Sequence, residues 1–415
     1  MNSNISMTLY NKLKGNFLAL FTEKSSVSQS AAELQSQTVM WLRFPLVLLV
    51  LLIHVNPQNK EIFTPIQTID VSHLTIANIY SIICRVGYYF SQVAVPFFFF
   101  SSGYFFFYKV KQWNIQCYKK KIEKRLKTLL VPYLLWNVLA LCIIIFNKCI
   151  GVWILHKPVD DLINYLTNIN FFLGGVIWNF TTWNESAVNL LGWSAQMYGP
   201  FLLPLWFLRD LIVISLLTPI IYYGIKYLKG TYLLLLGVAY LLNICTLPGI
   251  HITGIFFFSW GAYLSVSQKN MVTTLLQKKN IYLVITILSL VSCVVFDSTK
   301  IASLTRQVYC VAAIASLIPV TSMLLTKGVL IVRPQLSQTS FFVYALHSMT
   351  ILKVSCLGLA IAFAERIFLA SHYNVGYIIS YLLSPLLGAL FCLIVFVVLK
   401  TFTPRFLNLL TGGRD

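Results

Sequence analysis

Two ionisable residues share one apolar stretch of the chain. The segment WLRFPLVLLVLLIHV carries Arg43 and His54, eleven residues apart. In a helix, eleven steps of about 100° bring a side chain back to within roughly 20° of its starting azimuth, about 16 Å further along the axis. Arg43 and His54 therefore share a helix face. Ionisable groups within a bilayer are expensive and mark cavities and functional sites. Imidazole is the side chain suited to taking and returning a proton near neutral pH. The plainer alternatives are an arginine that snorkels to lipid phosphates and a histidine packed as a neutral, hydrogen-bonded ring.

Further polar groups interrupt other apolar stretches. Ser101, Ser102 and Gly103 break the phenylalanine run VPFFFFSSGYFFF. Small residues there allow close approach of a neighbouring helix or of a ligand, and both readings stay open. Eight basic residues follow between Lys109 and Lys127, among them Lys124, Arg125 and Lys127. They suit either anionic lipid or a polyanionic donor such as coenzyme A, whose phosphates match the arginine fork. The segment LPLWFLRDLIVISLLTP carries Trp206, Arg209 and Asp210. Adjacent helical side chains point about 100° apart, so Arg209 and Asp210 are each expected to find a partner on another helix, around a polar cavity. In SFFVYALHSMTILK, Tyr344 and His347 are three residues apart and share a face, with Lys353 further on.

These residues need a membrane scaffold. Of 415 residues, 58% are hydrophobic and 10% charged, and the mean hydropathy is +0.78. A soluble domain carries roughly 25% charged residues, so an all-α integral membrane protein is expected. Apolar runs at 39–56, 87–108, 129–149, 204–225, 231–248, 250–267, 280–296, 306–326, 340–363 and 375–399 predict about ten transmembrane helices. With the N-terminus inside, 21 of the 31 Lys and Arg fall in inner segments and seven in outer ones. That asymmetry places both termini in the cytoplasm and explains the net charge of +19 without nucleic acid. Residues 1–37 read as a polar cytoplasmic leader without a cleavable signal, 38–400 as the transmembrane domain and 401–415 as a short cytoplasmic tail. The connection at about 150–203 holds Trp153, Trp178, Trp183 and Trp193. It suits an interfacial aromatic belt or a lid over a sugar site. The nine cysteines lack metal-ligand spacing, and no Walker A loop points to an ATP-driven transporter.

Taken in order, the Arg43/His54 pair, FFFFSSGYFF, the basic run into TLLVPYLLWN, PLWFLRDLIV, FFFSWGAYL and SFFVYALH resemble acyltransferase family 3, the bacterial integral-membrane acyltransferases. The resemblance covers about residues 38–400. It implies ten core helices and transfer of an acyl group, usually acetyl, from acyl-CoA to a sugar hydroxyl at the bacterial inner membrane. The implied acceptors are lipopolysaccharide, exopolysaccharide or their lipid-linked precursors. No permanently bound cofactor or metal is implied; acyl-CoA is a co-substrate. The family's first-helix Arg and His carry over to Arg43 and His54. Its Arg-x-x-Arg element is matched at Arg125 alone, with Thr128 three residues on, so donor binding is shared among Lys124, Arg125, Lys127, Ser102 and Gly103. Trp206, Arg209, Asp210, Tyr344 and His347 are expected around the acceptor or the oxyanion. A flippase for lipid-linked sugars is the alternative, though the inverted repeats it would show are not evident.

Overall fold

The computed structural model describes residues 2–27, 30–55, 73–154, 156–167, 186–190, 193–197, 200–247, 249–350, 355–368 and 375–413. In chain order the first helices are α1 (Asn2–Thr22), α2 (Ala31–His54), α3 (Ile76–Ser91), α4 (Ala94–Phe107) and α5 (Ile115–Arg125). A π-helical turn at Leu126–Leu130 joins α5 to α6 (Val131–Trp153), and α7 (Asp160–Thr167) follows. A small antiparallel hairpin pairs β1 (Ser186–Leu190) with β2 (Trp193–Met197). Next come α8 (Trp206–Leu216), α9 (Thr218–Leu228), α10 (Gly230–Leu241), α11 (Ile252–Val266), α12 (Met271–Leu276), α13 (Lys279–Val295) and α14 (Lys300–Thr326). The chain ends with α15 (Pro334–Gln338), α16 (Ser340–Leu346), α17 (Cys356–Ile367), α18 (Val375–Phe402) and α19 (Pro404–Thr411).

Among the described residues, five helical segments are long and apolar enough to cross a membrane: α2, α3–α4, α5–α6, α14 and α18. A sixth forms if α8 and α9, bent by 61° at Leu217, count as one span. α10, α11 and α13 are apolar but shorter. The stretch read as a polar leader contains α1, whose Leu20 is fully buried and whose Asn16 donates to Thr401 Oγ1 at 3.0 Å on α18.

Two expected spans are interrupted, each for a local reason. At the α8–α9 bend, Pro219 has no N–H to give the carbonyl of Ser215. The Thr218 hydroxyl donates to that carbonyl instead, at 2.7 Å. The run expected as one helix over 340–363 stops at Leu346 and resumes at Cys356. Ser355 caps the new helix by accepting from Gly358 N at 2.9 Å. Lys353 and the Trp178–Trp183 part of the expected lid lie outside the described residues.

Against lipid, which is as apolar as leucine, close packing holds helices together better than exclusion of water does. The tightest crossing is between α4 and α11, and it is notched reciprocally. A Cβ on Gly103 would sit 1.9 Å from the Phe258 carbonyl oxygen, and one on Gly261 would sit 2.0 Å from that of Phe100. Only glycine fits at either place, and the flanking rings then interlock, Phe100 with Trp260 at 4.8 Å. α2 is the hub, packing against α3, α4, α12, α14, α15, α16 and α18. Val39, Leu42, Leu46 and Val50 form its buried stripe, whereas Arg43 and His54 stay exposed.

Candidate active site

α2 forms a common wall of two cavities. The first, about 320 Å³, is lined by Arg43, Ser101, Ser102, Arg125, Ser340 and Tyr344. The second, about 370 Å³, is lined by His54, Trp206, Tyr240, His251, Arg306 and Tyr344. Arg43 and Val47 face the first, and Val50, Ile53 and His54 face the second. The eleven-residue spacing thus distributes the two ionisable groups along one face, as helical periodicity requires. Tyr344 belongs to both walls, and its hydroxyl donates to the carbonyl of Pro204.

The first cavity is cationic. Among the described residues neither Arg43 nor Arg125 has an ion-pair partner, and no carboxylate lines the space. Arg125 lies over the Phe106 ring, 5.5 Å from its centroid, and donates to the Ser102 carbonyl at 3.4 Å. The hydroxyls of Ser102 and Ser340 are buried in the same wall without a hydrogen-bond partner. Buried polar groups are almost always bonded, so two unpartnered hydroxyls beside two guanidiniums without a counter-ion among the described residues describe a place for a polar, anionic ligand. Of the other expected donor residues, Lys124 is exposed away from the cavity, and Lys127 pairs with Glu123 at 2.8 Å on the surface. Gly103 is turned into the α4–α11 notch, so its role in the fold is packing.

In the second cavity His54 is exposed and has no hydrogen bond among the described residues, as a base awaiting its substrate would be. His347 stands behind it, fully buried, with ring centroids 5.2 Å apart. His347 Nδ1 lies 2.7 Å from the carbonyl of Tyr344. A carbonyl only accepts, so Nδ1 carries the proton and Nε2, which has no partner, is a bare acceptor. The expected oxyanion role for His347 therefore does not fit, because that nitrogen has no hydrogen to give.

His251 offers what His347 lacks. It caps α11, its Nδ1 accepting from Thr253 N at 3.2 Å, which places the proton on Nε2. His251 and Arg306 thus give the His54 cavity two donors that the sequence reading missed. In the sequence His251 falls within the 250–267 apolar run and Arg306 opens the 306–326 run. Trp206 lines the same cavity, its ring 6.3 Å from that of His251.

Arg209 and Asp210 do otherwise than expected. They pair with each other, Arg209 Nε and Nη2 donating to Asp210 Oδ1 at 3.0 and 2.9 Å. Adjacent Cβ atoms on a helix diverge, but an arginine is long enough to fold back across one peptide. The same oxygen accepts from Gly249 N at 2.7 Å, so this buried pair ties the α10–α11 connection to α8. Neither residue lines the two cavities. A second strut joins Arg85 of α3 to Asp297, before α14, at 2.8 Å.

No curated protein and no solved structure matches the chain. The family profile described as an acyltransferase domain matches residues 38–402, which span α2 to the end of α18. The chain belongs to acyltransferase family 3, and is thus a multi-pass membrane acyltransferase.

Proposed function

We propose that the protein is an O-acyltransferase that takes an acyl group, acetyl in the first instance, from cytoplasmic acyl-CoA. It places that group on a hydroxyl of a cell-surface glycan, such as lipopolysaccharide or exopolysaccharide, or of a lipid-linked precursor. The observation that carries this reading is a single helix presenting Arg43 to one cavity and His54 to another, with Tyr344 on the wall of both. Arg125 lies within the most basic stretch of the chain, Lys109 to Lys127, which supports a cytoplasmic opening for the Arg43 cavity. In this reading the three shorter apolar helices and the broken α16–α17 segment also cross, making ten crossings of a bacterial inner membrane with both termini inside.

In the proposed reaction Arg43 and Arg125 hold the phosphates of coenzyme A, with Ser102 and Ser340 as further partners. The pantetheine arm runs along α2 and brings the thioester to His54. His54 takes the proton of the acceptor hydroxyl. The oxygen attacks the thioester carbonyl, a C–O bond forms, and the negative charge on the carbonyl oxygen meets the donors of His251 and Arg306. The C–S bond breaks, and the thiolate takes the proton back from His54. The products are the O-acyl ester and coenzyme A, and the base is restored. The bound pair of reactants supplies the proximity contribution.

The test is to incubate membranes containing the protein with radiolabelled acetyl-CoA and glycans of the parent cell. Label is expected in the glycan as an alkali-labile ester, and glycans from a deletion strain should lack the corresponding acetyl mass. Glycans identical in parent and deletion strain, with no label transferred, would overturn the reading.

A further inference from the structure

A third cavity, about 630 Å³, lies between α10, α11, α13 and α14. Its walls include Val238, Phe256, Val308, Val311 and Ala315, and no charged residue lines it among the described residues. Tyr240 belongs both to this slot and to the His54 cavity. The two spaces differ in character. Asn243, His251, Arg306 and Gln307 bring polar groups to the His54 cavity, whereas Val308, the next residue of α14, lines the apolar slot.

Tyr240 is held in place as a partition between them. It is buried, stacked on Phe256 with ring centroids 4.9 Å apart and edge-on to Phe257 at 5.2 Å. Tyr240 and Gln307 also clasp each other between α10 and α14. The Tyr240 hydroxyl donates to the Gln307 carbonyl at 3.4 Å, and Gln307 Nε2 donates to the Tyr240 carbonyl at 2.8 Å. Turning the ring aside would lose the aromatic contacts and the hydrogen bond at its tip together.

The consequence concerns the acyl group. In the proposed reaction the thioester carbonyl stands at His54, and the acyl chain takes the room that the chamber leaves. That chamber, about 370 Å³, must also admit the acceptor hydroxyl. We infer that Tyr240 sets the length of the acyl group. With the ring in place the chain is confined to the His54 cavity and stays short; without it the chain extends into the slot between α10 and α14. The inference rests on the acyltransferase reading and deepens it, naming the residue that selects a short-chain acyl-CoA over a medium-chain one. The bond changes are the same for either donor: the C–O bond forms, the C–S bond breaks, and the thiolate takes the proton from His54.

The experiment uses the full-length protein in nanodiscs and compares transfer from octanoyl-CoA with transfer from acetyl-CoA. Tyr240→Ala should raise the octanoyl-to-acetyl ratio by at least about tenfold, a fraction of what burying several methylenes is worth. Tyr240→Leu, a milder opening, serves as the second variant if the first assembles poorly. Tyr240→Phe keeps the ring and should keep the wild-type ratio. Val238 lines the slot from an exposed position. Val238→Trp should therefore cancel the gain when added to either opened variant, and alone should change acetyl transfer by less than about twofold. A second readout needs no turnover: a thioether analogue of octanoyl-CoA with a diazirine at its chain end should cross-link to α14 around Val311 and Ala315 in the opened variants and not in the wild type. An unchanged ratio in both opened variants, a wild type that accepts both donors equally, or a gain that survives Val238→Trp would overturn the inference. Slot cross-links confined to the opened variants of a protein that transfers no acyl group would fault the acyltransferase reading instead and leave the partition standing; no slot cross-links in either opened variant would overturn the partition itself.

Discussion

Replacing His54 by glutamine separates catalysis from folding. The side chain is exposed, ends its helix and makes no hydrogen bond or ion pair among the described residues. Its loss opens no core cavity, so stability should change by no more than about 0.5 kcal/mol. Transfer should nonetheless fall by about 10²–10⁴-fold, the contribution of a positioned general base, or roughly 3–5 kcal/mol of barrier. The KM for acyl-CoA should hold, because the proposed phosphate site lies about 16 Å away along α2. His347→Ala is the contrast. That ring is fully buried, and its removal should cost about 2–5 kcal/mol of stability, as other large-to-small core changes do. The assay is transfer of radiolabelled acetyl per mole of folded protein, with thermal melting of the same samples. If His54→Gln keeps more than about one-tenth of the wild-type kcat at equal folded level, the base is elsewhere.

The other predictions concern the donor cavity, the glycine notch and the buried pair. Arg125→Gln should raise the KM for acyl-CoA by about tenfold or more, the worth of a charge-assisted hydrogen bond. Lys124→Gln, on the exposed side of the same helix, should change it less than about twofold; steady-state kinetics with both substrates varied checks the pair. Gly103→Ala puts a methyl where the Phe258 carbonyl stands, so α4 and α11 must part, at a cost of about 1–3 kcal/mol visible as a lower melting temperature in detergent. Asp210→Asn removes the buried carboxylate that Arg209 and Gly249 N share and should destabilise by about 3–5 kcal/mol. The double change Arg209→Met with Asp210→Leu should recover much of that loss, and no recovery would mean the pair does more than hold α8 to the α10–α11 connection.

What could be read in the sequence was whatever depends on one helix at a time. The shared face of Arg43 and His54 follows from periodicity alone, and both residues line cavities on α2. What depends on a partner far along the chain was not legible. Gly103 fits packing or ligand approach equally well until Phe258 is known to lie against it. The bend at Leu217 and the break after Leu346 escaped because an apolar run measures solubility in lipid, not the supply of backbone N–H groups. Pro219 was visible, but its effect on Ser215 is a hydrogen-bond matter that hydropathy ignores. His251 was hidden for the converse reason: a residue beside a turn looks like loop until its ring is seen capping α11 and lining the His54 cavity.

The arginines sort themselves by their counter-ions. Arg85 and Arg209 are buried and each holds a carboxylate, Asp297 and Asp210, so their charges are spent within the protein on joining helices. Among the described residues Arg43, Arg125 and Arg306 have no such partner, and no carboxylate lines the cavities they face. A chain with only 12 acidic residues against 31 basic ones uses two of the twelve on the two struts. Uncompensated cations in a low-dielectric setting are costly, and the cost is offset only when an anion arrives from outside. Two guanidiniums in the Arg43 cavity suit the several phosphates of the proposed coenzyme A donor, and the third lines the His54 cavity. The division of charge therefore supports the proposed donor site at Arg43 and Arg125, with His54 further along the same face of α2.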